Sequence, residues 1–69
     1  MNAYPILRFF AYKHLPPYLQ KVSRPFCELA HEMAQNLPPG PEVSAGLRRL
    51  LEAKDCAVRA AVTGQGDDQ

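Results

Sequence analysis

Leu37-Pro38-Pro39-Gly40-Pro41 is a stretch that no regular helix crosses. Its prolines lack backbone donors and hold φ near −65°, so the segment forms a stiff turn. On both sides of it apolar residues recur at helical spacing. Phe26, Leu29, Ala30, Met33 and Leu37 form the stripe before the turn, and Val43, Leu47, Leu50, Leu51, Val58, Ala61 and Val62 form the stripe after it. Two helices joined by so short a connection pack antiparallel, which predicts an all-α helical hairpin.

The element ends follow from proline and capping chemistry. Pro41 and Glu42 suit the first turn of a helix that runs to about Ala61, with Gly46 as its one internal weak point. Upstream, Pro25 would break or kink a continuing helix and Ser23 just before it is a good N-cap, which predicts a helix from about Arg24 to Asn36. Pro16-Pro17 starts a separate short helix to about Val22, with Leu15, Tyr18, Leu19 and Val22 on one face. From Asn2 to His14 the chain reads as an N-terminal arm. Arg8, Phe10 and Tyr12 alternate with Phe9 and Ala11, which fits an extended strand-like course as well as an irregular packed one. Residues 1–62 therefore read as one helical domain, and the polar, glycine-containing 63–69 as a disordered tail.

With 69 residues, 46% of them apolar, the chain has room for one small domain and for no Rossmann domain or barrel. A core of this size barely offsets chain entropy, so a staple or a partner is expected. The two cysteines, Cys27 and Cys56, allow one disulfide at most and form no Cys-x-x-Cys pair, which leaves homo-oligomerisation as the simplest support. Neither a signal-like start nor an apolar run near the ~20 residues of a bilayer span is present, so no membrane partner and a cytosolic setting with buried, reduced thiols are expected.

The net charge of +1 conceals a division. Residues 1–27 carry Arg8, Lys13, Lys21 and Arg24 and no acid, which gives +4; residues 28–69 carry seven acids against four bases, which gives −3. All six aromatic residues, Tyr4, Phe9, Phe10, Tyr12, Tyr18 and Phe26, lie in the basic part. Cations meet phosphates and rings stack on bases, so this mixture suits nucleotide binding; the plainer alternative is core packing plus pairing between the two halves. On a helical wheel Lys54 falls near the middle of the apolar stripe of the last helix. It either faces an anion in a cavity or interface, or covers apolar surface with its stem, or pairs with Glu28 or Glu32.

Catalytic and metal chemistry find little footing. Cys27 and His31 stand i, i+4, with His14 and Cys56 as further candidate ligands, but two ligands on one helix more often mark a packed thiol beside a surface imidazole, and no metal or other cofactor is expected. No phosphate-binding Gly-x-x-x-x-Gly-Lys loop or nucleophile elbow is present, so no enzyme activity is expected. Arg48, Arg49, Glu52 and Asp55 mix signs on the polar arc of the last helix, which argues against sequence-specific DNA binding.

Two motifs carry a resemblance. Tyr12-Lys13-His14-Leu15 leading into a helix, and Lys54-Asp55-Cys56-Ala57-Val58-Arg59-Ala60 closing the hairpin, resemble the small phage proteins that defeat CBASS and Thoeris immunity by sequestering cyclic nucleotides. The run from Phe10 to Ala60 is also similar to short proteins of actinobacterial phages, through Leu-Pro-x-x-Leu-Gln at 15–20, Ser-x-Pro-Phe at 23–26 and Leu-Leu-Glu-Ala-Lys-Asp at 50–55. The sponge resemblance implies a homo-oligomer, commonly a hexamer, in the host cytoplasm. It would bind a cyclic dinucleotide or trinucleotide at subunit interfaces without cleaving it. It implies a stacking role for Tyr12 and a phosphate contact for Arg59. The same reading adds Lys54 as a second phosphate contact, Arg24 as a secondary cation, and Phe10 on an arm that closes over a neighbour's groove. A helical module that docks a host or phage protein through Phe9 and Phe10 is the alternative expectation.

Overall fold

A computed structural model describes residues 4–64. A 3₁₀ helix, η1 (Pro5–Phe10), is followed by α1 (Pro17–Asn36) and α2 (Pro41–Gly64), and no strand occurs among the described residues. The two long helices pack as the expected antiparallel hairpin, and η1 lies against both.

The turn closes with ordinary backbone geometry. Leu37 leaves α1 in an extended conformation while its N–H still donates to the Met33 carbonyl at 3.2 Å, and the Ser44 N–H donates to the Gly40 carbonyl at 3.2 Å to open α2. No described residue has positive φ, so the prolines set the direction of the chain here and Gly40 supplies no left-handed bend. At the first closely packed level above the turn, a Cβ on Gly46 would lie 3.1 Å from the Met33 Cε. Gly46 is the residue that lets this methionine lie across α2.

Two elements differ from expectation. First, the short helix and the one after it are a single helix: α1 runs unbroken through Pro25. Pro25 forfeits the bond to the Lys21 carbonyl, a loss of about 3 kcal/mol in a helix interior. It is tolerated because Lys21 and Pro25 are exposed, so water can reach that carbonyl, while Leu19, Ser23, Phe26 and Ala30 continue one line against α2 on either side of it. Ser23, expected as a cap, consequently lies mid-helix and fully buried, and its Oγ has no hydrogen-bond partner.

Second, Pro5–Phe10 of the arm repeats every three residues and is not an extended strand, while 11–14 take an irregular course and 2–3 lie outside the described residues. At three residues per turn, Tyr4, Leu7 and Phe10 stack on one side. Leu7 and Phe10 are buried and Tyr4 packs beside them, whereas Arg8 and Phe9 point outward with the guanidinium 4.9 Å from the ring centroid.

The core of Leu7, Phe10, Ala30, Val43 and Leu47 sits toward the turn end of the hairpin, roofed by η1. Leu29, expected in the core stripe, is instead 46% exposed, because the buried line of α1 passes through Ala30 and leaves its neighbour about 100° away. Leu37 and Val62 are likewise exposed. Helix α2 extends to Gly64, so Thr63 and Gly64 belong to the helix and not to a tail; the rest of the expected tail, 65–69, lies outside the described residues. No helix among the described residues is long and apolar enough to cross a membrane.

Candidate functional site

Phe10 ends η1 inside the core, and the chain must then travel back along α1 to begin that helix at Pro17. The connector 11–16 makes this return as a ledge on the outer side of α1. It is held by a turn, Leu15 N–H to the Tyr12 carbonyl at 3.0 Å, and by Gln20, whose Nε2 donates to the carbonyls of Leu15 at 2.8 Å and Lys13 at 3.3 Å.

Between ledge and helix lies an open cleft of about 530 Å³, lined by Leu7, Arg8, Ala11, Tyr12, Lys13, His14, Cys27 and His31. Its size is within the range of small-molecule sites. The floor is apolar, the rim carries two permanent cations and two imidazoles, and none of the lining residues is acidic. Tyr12 also borders a second cleft of about 270 Å³ with Pro17, Gln20, Lys21 and Arg24. One half-buried ring thus separates two shallow basins, each with basic side chains on its edge.

Of the residues expected at a site, the structure brings Tyr12 and Arg24 together and leaves three elsewhere. Phe10 is 0% exposed in the core, so it is not available to close over a ligand. The Lys54 ammonium lies 3.4 Å from the Asp55 carboxylate with only 13% of its side chain exposed, so its partner is its neighbour in sequence and neither Glu28 nor Glu32. Arg59 is exposed near the end of α2, where it donates to the Cys56 Sγ at 3.4 Å. Neither Lys54 nor Arg59 lines either cleft.

Arg24 is itself engaged: its Nε donates to the Glu28 carboxylate at 2.8 Å on an exposed turn of α1. That hydrogen bond and the nearby negative charge hold its guanidinium still more firmly in the charged form. Arg8, Lys13, His14 and His31 are the lining groups that sequence reasoning did not assign to the site. The available signal was the acid-free run 1–27 together with the i, i+4 pair Cys27 and His31.

The cleft's thiol is not set up for nucleophilic attack. Burial first, and then the Glu28 charge, push the Cys27 pKa up, with Lys13 opposing them, so Cys27 stays a thiol beside His31. Cys56, expected to be buried, is exposed, because the far half of α2 extends beyond the cover of η1. His14, Cys27 and His31 share the cleft, yet among the described residues no three or more of His, Cys, Asp and Glu converge as a metal-holding group. Comparison of the chain with protein-family models, curated proteins and solved structures gives no match.

Proposed function

We propose that this protein binds a small phosphorylated ligand carrying a flat base, and holds it without cleaving it, in the cleft beside Tyr12. The observation that carries this reading is the acid-free ring of Arg8, Lys13, His14 and His31 around an apolar floor, with an aromatic wall at one side. Phosphate oxygens meet Arg8 and Lys13, a base stacks on Tyr12, and Lys21 and Arg24 in the adjoining basin receive a second phosphate. A protonated Cys27 favours retention over turnover. The ligand class implied by the resemblance is a cyclic dinucleotide or trinucleotide, with sequestration of a host immune signal as the role. Tyr12 and Arg24 keep their expected parts, and Arg8 and Lys13 take those first given to Arg59 and Lys54.

The test is depletion. Micromolar protein is incubated with a panel of cyclic nucleotides, the free pool is measured, and the protein is then digested. Loss of one nucleotide and its return intact supports the reading. No depletion overturns it, and return of linear products makes the protein a nuclease.

A second reading, docking to another protein, is favoured by Phe9, which is 53% exposed on the outer side of η1. Phe10 is buried and cannot serve as the second anchor. Stoichiometric capture of a purified partner that is lost on Phe9→Ser would select it.

A further inference from the structure

Helix α1 has one flank under η1 and its connector, marked by Cys27 and His31, and α2 has one flank under η1, marked by Ser44 and Arg48. Among the described residues nothing covers the opposite face of the hairpin. On α1 it presents Tyr18 and Leu29, 40% and 46% exposed, with Val22 and Met33 on the same line. On α2 the corresponding line is mostly small: Gly46, Ala53 and Ala57, with half-buried Leu50 among them and Ala61 at its edge. We propose that this face docks a second copy of the chain. The two hairpins then form a two-fold four-helix bundle with both clefts facing outward.

The face is complementary to itself. The contact of Met33 with Gly46 fixes the level of the antiparallel helices, and counting outward from it sets Val22 level with Ala57 and Tyr18 level with Ala61. A two-fold axis parallel to the helices lays α1 of one protomer over α2 of the other at unchanged height. Tyr18 then lies on Ala61, Val22 on Ala57 and Leu29 on Leu50, while each Met33 stays over Gly46 of its own chain.

The rim agrees in charge. By the same count Arg49, on the outer edge of α2, is level with Ala30 and passes between Glu28 and Glu32 on the facing helix. Among the described residues the ion pairs are Arg24–Glu28 and Lys54–Asp55, so neither Arg49 nor Glu32 has such a partner among them.

The area is also appropriate. Twenty residues of α1 run about 30 Å, and two helices side by side are about 20 Å wide, giving a footprint near 600 Å² in projection. Stable interfaces bury about 800 Å² per partner, and a surface corrugated by side chains exceeds its projection. This inference does not rest on the ligand reading, and it moves the binding site away from the subunit interface, where the resemblance implies it.

Sedimentation equilibrium across a hundredfold range of concentration tests it. Wild type reaches twice the 7.7 kDa chain mass, and Ala57→Glu remains at the chain mass with the same helical circular dichroism. Should that variant unfold, Arg49→Glu, on an exposed edge, serves instead: it weakens association by at least about tenfold, and adding Glu32→Arg restores it. A wild type at one chain mass throughout overturns the proposal. So does a dimer indifferent to the Arg49 change, or an assembly larger than two.

Discussion

Replacing Ser23 with alanine should stabilise the protein. Ser23 is 0% exposed in the middle of α1 and its hydroxyl has no partner, not even the carbonyl of Leu19 one turn back that a helical serine commonly uses. A buried hydroxyl without a hydrogen bond costs about 1–3 kcal/mol. Alanine is also the better helix former by about 0.5 kcal/mol. Against this, removing one oxygen atom forfeits a few dispersion contacts of about 0.1–0.2 kcal/mol each. The balance is a gain of about 1.5 kcal/mol, which for a domain of this size raises the melting temperature by roughly 6–12 °C. Thermal unfolding followed by circular dichroism at matched protein concentration measures it, since association would otherwise shift the midpoint. A melting temperature that falls on Ser23→Ala refutes the reasoning, because it would mean that the hydroxyl is satisfied and contributes to the helix seam.

Phe10→Ala should cost about 3–5 kcal/mol and leave little folded protein in urea titration, as befits a core residue; a fully folded variant would return Phe10 to the surface role first expected of it. Gly46→Ala should be mildly stabilising, by about 0.5 kcal/mol, because alanine favours the helix and the group in its way is the mobile end of Met33; a loss measured in the same titration would show that this methyl cannot move. Exposed Cys56 should react with iodoacetamide at pH 8 several-fold faster than Cys27, read by peptide mass spectrometry. Because burial raises the folded pKa of Cys27, its stabilising contribution is whole below the unfolded thiol range near about 8.5 and declines as pH rises toward the folded value. Cys27→Ala should therefore flatten the fall in stability above pH 8.5, and an unchanged slope would remove Cys27 as its cause.

The hairpin was legible because prolines announce a turn and apolar residues at 3.6-residue spacing announce helices. Pro25 misled for a reason that is tertiary. Its local cost is real, but the line Leu19, Ser23, Phe26 and Ala30 buries continuously against α2, and no local rule weighs that gain. The extended reading of Pro5–Phe10 fails because three-residue periodicity over so short a span resembles alternation; Leu7 with Phe10 is the informative pair, not Phe10 with Tyr12. At the site, composition identified the basic, aromatic portion of the chain. Which of those groups converge depends on η1 folding over the hairpin and sending residues 11–16 back along α1. Lys54 and Arg59 drew notice by wheel position and by motif, yet they lie in α2, outside both clefts that border the connector.

The central claim is that anionic ligands are held by the cleft beside Tyr12 and not by the end of α2. Isothermal titration of the nucleotide depleted most strongly, against wild type, Lys13→Glu and Arg59→Glu, tests it most directly. The expected result is a loss of affinity of at least about tenfold for Lys13→Glu and no change for Arg59→Glu, with one ligand bound per cleft. Equal affinity for wild type and Lys13→Glu, or a loss confined to Arg59→Glu, would contradict it.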